Sequence, residues 1–145
     1  MMESSDTVIQ RTRRNILVVD DDELMRRTLQ RLLMLQRHYD VRCLADGALV
    51  MDEIRQWRPH LIVLDTRMTG KDGLTVCREI RQDARLDEIR IIVLSGALDQ
   101  DLEHVVLAAG ADAYFEKPFD SQALLSAIRN LVFPDNPDRP PATAE

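Results

Sequence analysis

The chain has 145 residues, 45% of them hydrophobic and 30% charged, with 19 basic against 25 acidic side chains. That length suits one domain whose core needs no disulfide or metal staple, and a net charge of −6 argues against nonspecific binding to nucleic acid or to an anionic membrane surface. No apolar run approaches the roughly 20 residues of a membrane-spanning helix, the amino terminus lacks a signal-peptide core, and Cys43 and Cys77 carry neither a disulfide framework nor metal-ligand spacing. The expectation is a soluble, cytoplasmic, single-domain protein.

Residues 1–14 are polar and aperiodic and are expected to form a flexible arm. At the other end, residues 134–145 hold four of the six prolines and read as a flexible tail or linker. The arm carries +1 and the tail −2, which leaves −5 for the domain expected over residues 15–133. The acidity belongs to the domain itself.

Within that span two signals alternate. The run Ile16-Leu17-Val18-Val19 is uninterrupted and apolar, as a strand covered on both faces requires. Met25, Leu29, Leu32 and Leu33 then follow helical spacing. A weaker strand signal at Tyr39–Leu44 precedes a short helical one at Val50, Ile54 and Trp57. Leu61-Ile62-Val63-Leu64 is the next strand, followed by a helix through Leu74, Val76, Cys77 and Ile80. Ile91-Ile92-Val93-Leu94 comes fourth, with a helix through Leu102, Val105, Val106 and Ala109 that Gly110 would stop. Residues 113–115 form the last, weak strand before a helix through Leu124, Ile128, Leu131 and Val132. Five strand–helix units predict an α/β fold with a parallel sheet and right-handed crossovers.

Ligands of open parallel sheets bind outside the carboxyl ends of the strands. The first run ends in Asp20-Asp21-Asp22, the third in Asp65, the fourth in Ser95-Gly96 and the fifth, after Glu116, in Lys117-Pro118. Four of five strands therefore deliver polar groups to one rim. Carboxylates brought together repel one another unless a cation neutralises them. Oxygen ligands without His or thiolate suit Mg²⁺, which commonly bridges to phosphate. A lysine and a hydroxyl beside them would complement a phosphoryl group, whose transfer depends mainly on positioning and charge neutralisation. One carboxylate would then be the nucleophile of an acyl phosphate. Asp65 is the best candidate, because it stands alone at the end of the middle run.

At these residues the sequence resembles the receiver domain of two-component response regulators. The motifs ILVVDDDE, LIVLDTRMTGKDG, IIVLSG and AYFEKPF carry the resemblance, in the family's order and spacing. It implies a flavodoxin-like, doubly wound (βα)5 fold with five parallel strands in the order 2-1-3-4-5. It implies that Asp65 takes a phosphoryl group from the phosphohistidine of a sensor histidine kinase or phosphotransfer protein. Asp20, Asp21, Asp65 and the backbone carbonyl of Arg67 would organise Mg²⁺, and Lys117 would contact the phosphoryl group. Ser95 and Tyr114 fill the positions of the switch hydroxyl and switch aromatic. The fourth helix, fifth strand and fifth helix, residues 99–132, would then bind a downstream effector or form a homodimer. The domain would be no enzyme beyond its own phosphorylation and dephosphorylation, and this segment would contact neither nucleic acid nor membrane.

The chain departs from the family where Thr69 stands in place of the usual proline and Ser95 in place of the commoner threonine. Arg67 and Ala97 occupy positions where the family varies and where phosphate lifetime is tuned. Two other functions compete. A haloacid-dehalogenase-like phosphatase also uses an aspartyl nucleophile and Mg²⁺, but it carries an Asp-x-Asp pair on its first strand, and Asp65-Thr66-Arg67 lacks the second acid. A phosphorylation-independent interaction module would not need the intact acceptor set. The five glycines form neither a P-loop nor a dinucleotide fingerprint. No output domain is read after residue 133, so the segment is either a stand-alone receiver or one cut within a linker.

Plainer roles apply to several residues. Asp22 is expected to cap the first helix, Tyr114 also fits a half-buried core aromatic, and the cysteines read as small buried hydrophobes. His38, His60 and His104 are scattered and receive no chemistry, His60 lying at the end of its strand opposite the acidic rim.

Overall fold

The computed structural model describes residues 13–68, 70–96 and 102–134. The arm at 1–12, the tail at 135–145, Thr69 and Ala97 lie outside the described residues. The strands are β1 (Arg14–Val19), β2 (Tyr39–Leu44), β3 (Leu61–Asp65), β4 (Arg90–Gly96) and β5 (Ala113–Lys117). The α-helices among the described residues are α1 (Glu23–Met34), α2 (Val50–Trp57), α3 (Gly73–Arg81), α4 (Leu102–Ala108) and α5 (Ser121–Val132). All pairings are parallel, in the order β2-β1-β3-β4-β5. β1 begins at Arg14, inside the stretch read as an arm. The reason is polar: Arg13 forms an ion pair with Asp40 at 2.6 Å, and Arg14 donates to the Val132 carbonyl at 3.0 Å.

Alternation along the strands creates two cores. Leu17, Val19, Ile62, Leu64, Ile91 and Val93 face α2, α3 and α4, meeting Val50, Ile54, Val76, Cys77, Ile80 and Val106. Ile16, Val18, Leu61, Val63, Ile92 and Leu94 face α1 and α5, meeting Leu29, Leu33, Leu124 and Ile128. The apolar runs of β1, β3 and β4 are thus unbroken because each residue enters one core or the other. Each fully buried Leu, Ile or Val contributes about 1.5–3 kcal/mol of transfer free energy. Helices α1, α3 and α5 start where short acids accept from the exposed first amides. Asp22 accepts from Leu24, Asp72 from Thr75 and Asp120 from Gln122.

Two short 3₁₀ turns, Gly47–Leu49 and Ala84–Leu86, have no counterpart in the periodicity. Gly110 follows α4 with φ of +111°, the left-handed conformation that glycine adopts without penalty. At that amino edge of the sheet Asp112 binds two guanidinium groups. Arg81 approaches it at 3.0 Å and Arg90 at 3.1 Å, while the Ile91 N–H donates to it at 2.8 Å. Arg81 also donates to the Gly110 carbonyl at 2.9 Å. One carboxylate thereby ties the end of α3 to the start of β4 and the turn into β5. His60 lies at the same edge, where its Nδ1 accepts from the Asn15 N–H at 2.9 Å.

Candidate functional site

The sheet register brings the acidic residues together. Val19 pairs with Leu64, so Asp20 and Asp65 stand side by side one residue further on. Asp65 pairs with Leu94, which sets Ser95 one position beyond it, and Gly96 pairs with Lys117. Asp20 and Asp65 are buried while Asp21 is exposed, and each of the three offers one oxygen such that these atoms lie within 4.8 Å of one another.

Both oxygens of Asp20 and both of Asp65 have a neighbour. Asp20 Oδ1 accepts from the Asp22 N–H at 2.9 Å, and its Oδ2 accepts from Lys117 Nζ at 2.9 Å. The same ammonium lies 3.3 Å from Asp65 Oδ2, and the Arg67 N–H donates to Asp65 Oδ1 at 3.3 Å. Burial, and next the charge of Asp20, push the Asp65 carboxyl up from 3.8 to about 6, against the pull of Lys117 and the Arg67 amide. Burial alone would lower the Lys117 ammonium, but Asp20 and Asp65 leave it above its ordinary value. Lys117 thus divides its charge between Asp20 and Asp65. A hard divalent ion with oxygen preference fits that donor set, which holds no His or Cys among the described residues.

Ser95 is fully buried, and its Oγ donates to the Gly96 carbonyl at 3.1 Å. Alternation turns Ser95 toward the same face of the sheet as Val93 and its partner Tyr114. Tyr114 packs against the α2–α3–α4 core, and its buried hydroxyl finds no hydrogen-bond partner among the described residues. The Arg67 side chain is exposed beside the cluster. The Lys117–Pro118 peptide bond is cis.

Two residues of this region were not singled out by sequence. Arg26, on α1, donates to the Asp20 carbonyl at 2.8 Å. Thr66 is buried beside Asp65, with its N–H on the Leu94 carbonyl at 3.0 Å and its own carbonyl accepting from Gly73 at 3.1 Å. The run LVVD-like pattern of β1 gives no sign of Arg26, six positions after Asp20, whereas Thr66 adjoins a motif and was legible only as its continuation.

The model of the response regulator receiver domain matches residues 16–129. The chain belongs to that family. Among curated relatives, a response regulator MprA of Mycobacterium sp. (strain KMS) is 42% identical over 127 residues, which are 87% of this chain and 54% of the relative. That of Mycolicibacterium vanbaalenii is 43% identical over 124 residues, 85% of this chain and 52% of the relative. The chain therefore spans about half the length of these relatives.

Solved receiver domains share the fold. The signal receiver domain of a DNA-binding response regulator from Colwellia psychrerythraea 34H superposes with a TM-score of 0.76 at 28% identity, over 81% of this chain and 97% of that one. The BeF3-activated N-terminal receiver domain of RstA from Klebsiella pneumoniae gives 0.73 at 27%, over 82% and 98%. The expected flavodoxin-like order 2-1-3-4-5 holds for this receiver domain of two-component signalling. No helix among its described residues is long and apolar enough to cross a membrane.

Proposed function

We propose that this receiver domain is a phosphoacceptor in which Asp65 takes a phosphoryl group from the phosphohistidine of a sensor kinase or phosphotransfer protein, with Mg²⁺ bound at Asp20, Asp21, Asp65 and the Arg67 carbonyl. The observation that carries the reading is the convergence of three carboxylate oxygens within 4.8 Å on a lysine that contacts two of them. Mg²⁺, when bound, supplies the positive charge that offsets the carboxylates and the incoming phosphoryl oxygens.

The protein's own groups do the rest. An Asp65 carboxylate oxygen attacks phosphorus, and the P–N bond to the donor imidazole breaks, its electron pair passing to the nitrogen, which takes up a proton. Lys117 then transfers one of its contacts from carboxylate to phosphoryl oxygen. The Ser95 hydroxyl, which donates to the adjacent Gly96 carbonyl at 3.1 Å, turns to the new anion. Tyr114 follows on the same face, and the surface of α4, β5 and α5 changes for an effector or a second copy. Val105 and Leu107 of α4 are 39% and 41% exposed there. Residues 99–101 of the expected face lie outside the described residues. A cytoplasmic site of action belongs to the same reading.

Acetyl phosphate with and without Mg²⁺ tests it, with intact mass as the readout. The wild type should gain one phosphoryl group only with the metal, and Asp65→Asn should gain none. Undiminished labelling of the variant refutes Asp65 as acceptor. A wild type that stays unlabelled while still binding a partner favours the interaction module.

A further inference from the structure

The loop between β3 and α3 carries the Arg67 backbone, yet its own sequence does little to fix its path. Proline at position 69 would lock φ; this chain has Thr69 followed by Gly70. Contacts from outside the loop then carry more of its ordering, beside the Gly73 N–H that donates to the Thr66 carbonyl at 3.1 Å.

The turn after β2 makes them. Gly47 is buried, and a Cβ built on it would lie 2.2 Å from the Lys71 carbonyl oxygen and 3.0 Å from its carbonyl carbon. Gly70 has φ of +85°, and its Cβ would lie 2.0 Å from Asp46 Oδ1. That carboxylate is held in place, since Oδ1 accepts from the Ala48 N–H at 2.8 Å and caps the turn Gly47–Leu49. The two loops therefore meet with no room for a methyl group on either side. Lys71 is tied beyond them to Glu79 of α3 at 2.9 Å. Gly73 closes the other end, where a Cβ would lie 2.3 Å from the Asp65 carbonyl oxygen.

We propose that Asp46 and Gly47 are positioning residues for Mg²⁺ binding: from the β2–α2 turn they clamp Gly70 and Lys71, and so set where the Asp65–Arg67 backbone stands. The proposal rests on the reading of Asp65 as a metal-assisted acceptor. It assigns to a neighbouring turn the rigidity that a proline would otherwise give the loop itself.

Gly47→Ala is a clean probe, because the glycines with positive φ among the described residues are Gly70 and Gly110. Alanine suits the local turn, so the strain falls on Lys71. Gly110→Ala is the control. It places a left-handed alanine 2.4 Å from Arg81 Cγ, at the far edge of the sheet. Mg²⁺ titrated into ¹⁵N-labelled protein, followed by amide shifts, gives the dissociation constant for the wild type and for Gly47→Ala, Asp46→Ala and Gly110→Ala. Gly47→Ala should bind about tenfold more weakly, the size of effect typical of lost outer-shell support. Asp46→Ala should bind severalfold more weakly. Gly110→Ala should match the wild type although its Tm falls. Wild-type affinity in Gly47→Ala, or an equal loss in Gly110→Ala, overturns the proposal. If Gly47→Ala does not fold, Asp46→Ala decides it, and an unchanged constant there overturns it equally. A wild type without any Mg²⁺-dependent shift defeats the phosphoacceptor reading itself, and this proposal with it.

Discussion

Lys117 donates to Asp20 at 2.9 Å, joining the last strand to the first across 97 positions of sequence. Because the same ammonium also lies 3.3 Å from Asp65, it is divided between two buried acids. It cannot fully neutralise either. The energetics of the pocket follow from that shortage of positive charge.

Removing one acid should therefore stabilise the metal-free fold. The Asp65 carboxyl is raised from 3.8 to about 6, so between those values the folded state holds a proton that the unfolded chain has released. Stability from this group falls as pH rises through that window, and the cost stands in full above it. Asp65→Asn abolishes the cost. It also breaks the 3.3 Å contact with Lys117, but the lysine keeps Asp20 at 2.9 Å. At pH 7.5 without divalent ions the variant should gain about 1 kcal/mol, or roughly 3–5 °C in Tm for a domain of this size. The gap should close below pH 4, and Mg²⁺ should narrow it by stabilising the wild type more. A variant melting at or below the wild type at pH 7.5 contradicts this account.

With Asp65 as the proposed acceptor, Arg67 is expected to set the lifetime of the phosphorylated state. Hydrolysis needs a water in line with phosphorus, and the long cationic side chain beside the site can cover that approach. Arg67→Ala should shorten the half-life of phospho-Asp65 severalfold in a dephosphorylation time course. Decay as slow as that of the wild type, or slower, means that the side chain does not screen the phosphorus.

Tyr114 gives a stability test and a switching test. A buried hydroxyl without a partner costs about 1–3 kcal/mol, and that of Tyr114 finds none among the described residues. Tyr114→Phe should then raise the unfolding free energy of the unphosphorylated protein by about 1 kcal/mol in urea. No gain would indicate that the ring spends its time with the hydroxyl in water. Beryllofluoride with Mg²⁺ should move amide resonances across α4, β5 and α5, and Ser95→Ala should reduce that response while leaving metal binding intact. A charge-assisted hydrogen bond of about 1.5–3 kcal/mol is enough for a tenfold shift in population. Shifts confined to the neighbourhood of Asp65 would mean that the signal does not travel by this route.

Asp112 should be among the costliest surface acids to lose. Asp112→Ala would leave the Ile91 N–H without its acceptor and take the shared carboxylate from Arg81 and Arg90, three donors that now converge on it within 3.1 Å. A loss of about 2–3 kcal/mol is expected by chemical denaturation. A loss below 0.5 kcal/mol would place this carboxylate with ordinary exposed pairs.

The strands β1, β3 and β4 were readable in sequence because burial on both faces leaves an unbroken apolar run. The edge strand β5 was faint for the opposite reason: it is only partly covered, and Glu116 is exposed within it. Asp72 and Asp120 cap in the same way as Asp22 without having been singled out; the Asp22 cap was readable, since a cap is a local matter. The Asp112 clasp was not, because its partners stand 31 and 22 positions away and look like ordinary charges. Asp20, Asp65 and Lys117 are as far apart in sequence, but each terminates a strand, and strand ends in a parallel sheet share one rim. Gly47 resembled any turn glycine. Its contact with Lys71 exists only in the folded loops.

The division of Lys117 between two acids also sets a timetable for synthesis. On the ribosome, residues 20 and 65 leave the exit tunnel before residue 117, and for that interval the two acids are without the ammonium that contacts them in the folded protein. A polypeptide truncated ahead of β5 would keep the aspartate yet lack the cation that tempers it. The three-residue contact is consequently among the last features the nascent chain can complete, and a product ended before β5 carries Asp20 and Asp65 without Lys117.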